Sequence, residues 1–170
     1  MGWRSRLDLT LRTTVGWLFV PAALGLVSLW ILVLSFLRAP RERIDRAYWW
    51  FGRVGCRIAG SKLLVRGLDG VQPGKAYVLV PNHESNWDPV VLVAALETIP
   101  ARFVAKRQII RIPVFGWALL RSGNVRVERT NTQGDVERIR RQMEERPLDV
   151  SILFYAEGTR SLDGALHEFR

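Results

Sequence analysis

The sequence predicts an α/β fold, a largely parallel sheet flanked by helices, preceded by one N-terminal membrane helix. Three observations lead there. Residues 13–37 carry no charged side chain at all. From residue 63 onward, short apolar runs alternate with stretches of helical character, the order that builds a layered α/β domain. The polar motifs able to do chemistry fall directly after those apolar runs, where open parallel sheets collect their ligands.

The leader, residues 1–40, is read as a transmembrane segment with basic flanks. As a helix, the 23 residues 15–37 reach roughly 35 Å, against a hydrocarbon core of about 30 Å. A secretory signal has a shorter apolar core, roughly 7–15 residues, ending at a small-residue cleavage site. Here the run is longer and continues into Arg38-Ala39-Pro40-Arg41. Arg4, Arg6 and Arg12 precede it, while Arg38, Arg41, Arg43, Arg46 and Arg53 follow, so the positive-inside rule puts the trailing side in the cytoplasm. Residues 41–60 mix Tyr48, Trp49, Trp50 and Phe51 with Arg46, Arg53 and Arg57. That composition suits an interfacial amphipathic segment at the headgroup level, and it equally suits a helix that covers the next domain.

Residues 61–170 form the main domain. Strands are expected at 63–65, 77–80, 102–105, 125–127 and 151–155. Asp88-Pro89 is a helix-start signal for an apolar helix over 90–96, closed by Pro100. Residues 109–120 read as a short apolar helix or turn broken by Pro113 and Gly116. Residues 132–145 read as an amphipathic helix with Val136, Ile139 and Met143 on one face.

Composition narrows the function. The 170 residues hold 25 Lys+Arg against 16 Asp+Glu, a formal charge of +9, and 48% are hydrophobic. A disordered chain is excluded by that apolar content. One cysteine, Cys56, excludes an internal disulfide framework, and two histidines are too few for a histidine-rich metal site, so no metal is expected. A basic chain wants an anionic partner: nucleic acid, anionic lipid or a phosphorylated substrate.

Three segments carry the chemistry. In Pro81-Asn82-His83-Glu84-Ser85-Asn86-Trp87-Asp88-Pro89, His83 and Asp88 would point about 140° apart on a continuous helix, so they meet only if the segment is a turn. A carboxylate on one imidazole nitrogen fixes the tautomer and leaves the other nitrogen to take a proton. The same pair could instead do no more than satisfy backbone groups in the turn. The second segment, Phe154-Tyr155-Ala156-Glu157-Gly158-Thr159-Arg160-Ser161, offers a close backbone approach at Gly158, a hydroxyl at Thr159 and a planar phosphate-matching fork at Arg160. A strand-ending turn with a surface ion pair is the plainer alternative. In the third, Gly123-Asn124-Val125-Arg126-Val127-Glu128-Arg129-Thr130, a strand ends at Arg129, which alone reads as a solvated charge.

Together, Asn82-His83-x4-Asp88, the strand ending at Arg129, and Glu157-Gly158-Thr159-Arg160 stand in the order and spacing of the glycerolipid acyltransferases. The chain resembles the 1-acyl-glycerol-3-phosphate acyltransferase family from its apolar leader to residue 170. Residues 101–120, with Lys106 before a Pro/Phe/Gly/Trp-containing stretch, resemble the segment which that family carries between its first two motifs. Two departures stand out. Ala156 occupies a position where the family usually has proline, and the chain ends before the family's fourth, proline-containing motif. The domain is therefore expected to be C-terminally incomplete, and the 170-residue chain inactive or nearly so.

The resemblance implies acyl transfer from a thioester co-substrate, acyl-CoA or acyl carrier protein, to the free hydroxyl of a lysophospholipid, with no other cofactor. It implies that His83 is the general base, that Asp88 orients it, and that Arg129, Glu157, Gly158, Thr159 and Arg160, with Lys106, bind substrate. The expected partners are a lysophospholipid, the acyl donor and a membrane, but no nucleic acid. The expected location is a membrane of the bacterial inner-membrane type, with the domain facing the cytoplasm. Acceptors other than lysophosphatidic acid, a non-catalytic lipid-binding membrane protein, and a tethered nucleic-acid binder are the competing readings. Salt-sensitive oligonucleotide binding would mark the last of these.

Overall fold

The computed structural model describes residues 3–128, 132–145, 147 and 149–169. Helix α1 spans Trp3–Phe36 and helix α2 Arg41–Ala59. The domain proper follows as β1 (Val78–Leu79), α3 (Asp88–Ala95), β2 (Ala101–Lys106), α4 (Arg107–Ile110), α5 (Phe115–Arg121), β3 (Val125–Val127), α6 (Thr132–Glu144) and β4 (Ser151–Leu153). The four strands form one sheet in the order β1-β4-β2-β3, with every neighbouring pair parallel. Their carboxyl ends therefore share one edge of the sheet, and the loops after β1 and β4 are adjacent there.

Strand β4 is central and wholly buried, which is why Ser151-Ile152-Leu153 reads as a continuous run rather than an alternating one. Its neighbours are pinned by register: Val78 opposite Ile152, and Ala101 opposite Ser151. The Ser151 hydroxyl accepts the Tyr77 N–H at 3.0 Å, so even this buried polar side chain is used.

The expectation of a strand at 63–65 is corrected. These residues lie outside the sheet, and Leu64 is 74% exposed. An apolar run becomes a strand only when a neighbour completes its hydrogen-bond ladder, and among the described residues none pairs with it. The 109–120 stretch is two helices, α4 and α5. Between them Val114 takes a left-handed backbone (φ 65°), and Gly116 N donates to Ile112 O at 2.8 Å. Gly116 has no alternative, because a Cβ there would stand 1.8 Å from the Ile110 carbonyl oxygen.

One stripe of α1, formed by Ala23, Val27, Ile31 and Leu34, is buried with Ile44, Phe51, Cys56, Val90, Ala94 and Ala118. Successive steps of three and four residues put that stripe on a single face, which packs on α2 and α5. The other face presents Leu26, Leu29, Trp30, Val33 and Phe36 outward. Residues Leu18–Phe36 are long and apolar enough to cross a membrane. Helix α2 buries Ile44, Phe51, Gly52, Gly55 and Cys56 against α1 and α3, while its Trp50 stays exposed. It ends in a left-handed Gly60, whose N–H donates to Arg57 O.

A polar network joins α2 to the sheet. Arg102, 4% exposed, places Nη2 2.7 Å from Asp45 Oδ1 and donates Nε–H to the Ser122 carbonyl. Tyr48 Oη lies 2.6 Å from Ser122 Oγ and accepts from Asn124 Nδ2 at 3.1 Å, while Asn124 Oδ1 accepts the Phe103 N–H at 2.7 Å. At the far end of the sheet, Arg41 makes a two-pronged pair with Asp149.

Candidate active site

The segment between β1 and α3 folds as the turn its spacing requires. Pro81 ends the strand run, and Asp88 opens α3 with Pro89 in its first turn. Asp88 reaches back rather than forward: its Oδ2 accepts the Glu84 N–H at 2.8 Å and the Ser85 N–H at 2.9 Å. The same oxygen lies 2.7 Å from His83 Nδ1. Three bonds on one carboxylate oxygen tie turn, helix start and imidazole into a unit. Burial pushes the Asp88 carboxyl up, but the Ser85 N–H, the His83 ring and the Glu84 N–H together outweigh it and hold it below the usual carboxylate range.

Bonding at Nδ1 leaves Nε2 as the nitrogen able to take a proton from a substrate. The ring is largely shielded, its side chain 18% exposed. Its face is covered by Tyr155, with ring centroids 3.9 Å apart and planes inclined by 17°. Burial, and secondarily the Asp88 charge, raise the Tyr155 phenol above its ordinary range, so it stays protonated beside the pair.

The loop after β4 holds the same histidine by its backbone. Glu157, 3% exposed, accepts the His83 N–H with Oε1 at 3.2 Å and the His167 N–H with Oε2 at 3.1 Å. Ser161 N donates to the His83 carbonyl at 2.7 Å. Gly158 takes a left-handed conformation (φ 69°) and donates its N–H to Tyr155 O, closing the turn that Tyr155–Gly158 makes. Beyond it, Asp163 Oδ1 accepts from the Ala165 N–H and Ser161 Oγ and lies 3.0 Å from His167 Nε2; those contacts hold its carboxyl down at about 2.

The sequence-predicted residues therefore divide. His83 and Asp88 are brought into contact, and the Glu157–Ser161 loop is brought against them. Glu157, expected among the phosphate-binding residues, is instead turned inward with both oxygens accepting backbone N–H groups, and a carboxylate adds no donor for a phosphate. Thr159 and Arg160 are exposed at the same sheet edge, as is Lys106 at the end of β2. Arg129 lies outside the described residues. Tyr155 has a place at the site that its sequence did not announce. Its only signal was position, one residue class among several at the end of a buried strand. Among the described residues no group of three or more His, Cys, Asp or Glu is arranged to hold a metal ion.

The acyltransferase family profile matches residues 62–170. A 1-acyl-sn-glycerol-3-phosphate acyltransferase of Pseudomonas aeruginosa is 29% identical over 94% of this chain and 63% of its own length. The chloroplastic 1-acyl-sn-glycerol-3-phosphate acyltransferase LPAT1 of Arabidopsis thaliana is 33% identical over 64% of this chain and 30% of its own. In three dimensions the chain is similar to the 1-acyl-sn-glycerophosphate (LPA) acyltransferase PlsC of Thermotoga maritima, with a TM-score of 0.75 at 22% identity, covering 97% of this chain and 67% of that one. The chain thus spans less than two thirds of the length of these two sequence relatives.

Proposed function

The chain belongs to the acyltransferase family, and on that premise we propose that it moves a fatty acyl group from a thioester to the free hydroxyl of lysophosphatidic acid, giving phosphatidic acid. The observation that carries the reading is the His83 Nδ1–Asp88 Oδ2 contact of 2.7 Å, made where the loops after β1 and β4 adjoin. His83 Nε2 takes the acceptor's hydroxyl proton as that oxygen attacks the thioester carbonyl. The tetrahedral adduct then collapses, the carbon–sulfur bond breaks, and the imidazolium returns the proton to the departing thiolate. No serine or cysteine nucleophile is needed, because the substrate brings its own hydroxyl. Asp88 holds the tautomer and stabilises the imidazolium that forms between the two steps.

Arg160 and Thr159, exposed beside the pair, are assigned the acceptor phosphate, with Lys106 as a further cation of the same sheet edge; Arg129 is assigned the same role from its sequence motif alone. Glu157 acts from behind, by fixing the His83 backbone. The acyl donor is acyl-CoA or acyl carrier protein. An amphiphilic acceptor explains the apolar outer face of α1, which we assign to a membrane with the domain on the cytoplasmic side.

The test is thiol release by the full-length protein in lipid vesicles, with acyl-CoA and a panel of acceptors: lysophosphatidic acid, lysophosphatidylethanolamine and monoacylglycerol. Lysophosphatidic acid is expected to be acylated with the highest kcat/KM. Preference for the phosphate-free monoacylglycerol would overturn the assignment of the acceptor.

A further inference from the structure

A single hydrogen bond fixes one atom of an imidazole and leaves the ring free to rock about that contact. At this site the bond is His83 Nδ1 to Asp88 Oδ2, and Asp88 itself is immobilised by the Glu84 and Ser85 N–H groups. The backbone on either side of the ring is held as well, through Glu157 and Ser161. What remains is the rotation of the ring plane. The Tyr155 ring stands against it, 3.9 Å away and inclined by only 17°.

We propose that Tyr155 is a positioning residue for His83: its flat ring holds the imidazole in the plane where Nδ1 meets Asp88 and Nε2 is presented to the acceptor hydroxyl. The contribution belongs to the ring rather than to the phenol group. The Tyr155 hydroxyl oxygen is buried without a hydrogen-bond partner among the described residues, so a contact through oxygen does not explain the residue. A stacked, polarisable ring also favours the imidazolium that forms during transfer, because a cation over an aromatic face is attracted by its quadrupole. Rigid placement matters at this point of the molecule, since a misplacement of about 1 Å can cost on the order of 10²-fold in rate.

The proposal rests on the reading of His83 as general base, so the experiment separates the two. Tyr155→Phe keeps the ring and removes the oxygen. Tyr155→Leu and Tyr155→Met remove the flat face, methionine filling the space with a flexible chain. Each variant of the full-length protein is followed by kcat and KM for both substrates. The ¹⁵N spectrum of the labelled histidine rings is recorded at a pH where they are neutral. The His83 signals are identified as those lost from the spectrum of a His83→Gln variant.

The expected result is a Phe variant within twofold of wild type, with His83 in one tautomer protonated at Nδ1. The Leu and Met variants should lose about tenfold in kcat with both KM values within twofold, and their His83 signals should move toward a mixture of tautomers. Wild-type kcat and a single tautomer in the Leu and Met variants would overturn the proposal, as would a Phe variant as impaired as the Leu variant. Failure of both aliphatic variants to fold would make Tyr155 a packing residue and overturn it too. The ¹⁵N readout needs no substrate. A protein in which the tautomer depends on Tyr155 but no acyl transfer occurs would keep the positioning role and discard the base.

Discussion

Glu157 and Arg160 come from one short motif, yet one is 3% exposed and the other lies open to solvent. Their substitutions should differ accordingly. Arg160→Lys keeps the charge but loses the bidentate fork, so KM for a phosphate-bearing acceptor should rise while the donor's KM stays put. An equal loss with a phosphate-free acceptor would make Arg160 structural. Glu157→Gln puts an amide NH₂ against a backbone N–H, leaving one buried donor without an acceptor. Chemical unfolding should show a loss of about 1–3 kcal/mol, with kcat falling more than KM rises. Asp88→Asn should lower kcat by about 10²-fold or more. It should also change the acid limb of stability. Because folding holds the Asp88 carboxyl below its ordinary range, its stabilisation is complete above about pH 4 and disappears as pH falls through the folded-state value. Urea unfolding should therefore separate wild type from the Asn variant at pH 7, and the gap should shrink as pH falls below about 4. The His83–Asp88 meeting was legible in the sequence only as a condition: the two point about 140° apart on a continuous helix, so they meet only if the segment turns, and the order of the three motifs together favoured that turn. The inward turn of Glu157 was not, since the N–H groups it accepts belong to residues on either side of it in different loops.

At the scale of elements, α2 and α3 approach so closely that glycine is required between them. A Cβ on Gly52 would stand 2.6 Å from Val93 Cγ2, 2.7 Å from Ala94 N and 2.8 Å from Val90 O. Two of those three are backbone atoms that cannot rotate away, so the helices would have to separate. Gly52→Ala should cost about 1–3 kcal/mol and lower the melting temperature, whereas Gly25→Ala, with nothing within 4 Å, should not destabilise. A Gly52→Ala protein as stable as wild type would contradict this packing. The periodicity of residues 132–145 and the Asp88-Pro89 start announced α6 and α3 to within a few residues. The buried runs at 77–80 and 151–155 announced β1 and β4, although the strands themselves are shorter, Val78–Leu79 and Ser151–Leu153. The apolar run at 63–65 failed as a strand signal because pairing is a property of neighbours, not of composition. The Asp45–Tyr48–Arg102–Ser122–Asn124 network was unreadable for a related reason: its members are ordinary surface-type residues until helix and sheet bring them together.

For the molecule as a whole, α1 has two tasks that its apolar sequence does not distinguish. One face completes the core beside α2 and α5, and the other presents Leu26, Leu29, Trp30, Val33 and Phe36 to the surroundings. Near its end Arg121 lies over the Phe36 ring at 5.4 Å, so cationic charge borders the apolar surface. Removing residues 1–40 should release much of the protein from vesicles. What binding remains, through exposed Trp50, Ile112 and Trp117 among basic side chains, should need anionic lipid and weaken with salt. A truncated protein that sediments equally with neutral vesicles at high salt would contradict that surface.

Deprotonation of the acceptor by a single imidazole, oriented by Asp88, is the step on which the proposed activity depends. Its most direct measurement is the rate of thiol release from acyl-CoA with lysophosphatidic acid, for the full-length protein and its His83→Ala variant bound to the same vesicles. The wild type should release one thiol per phosphatidic acid formed, and only when the acceptor is present. The variant should bind the vesicles equally and lose about 10²–10⁴-fold in rate. A His83→Ala protein that keeps more than about a tenth of the wild-type rate would contradict the account.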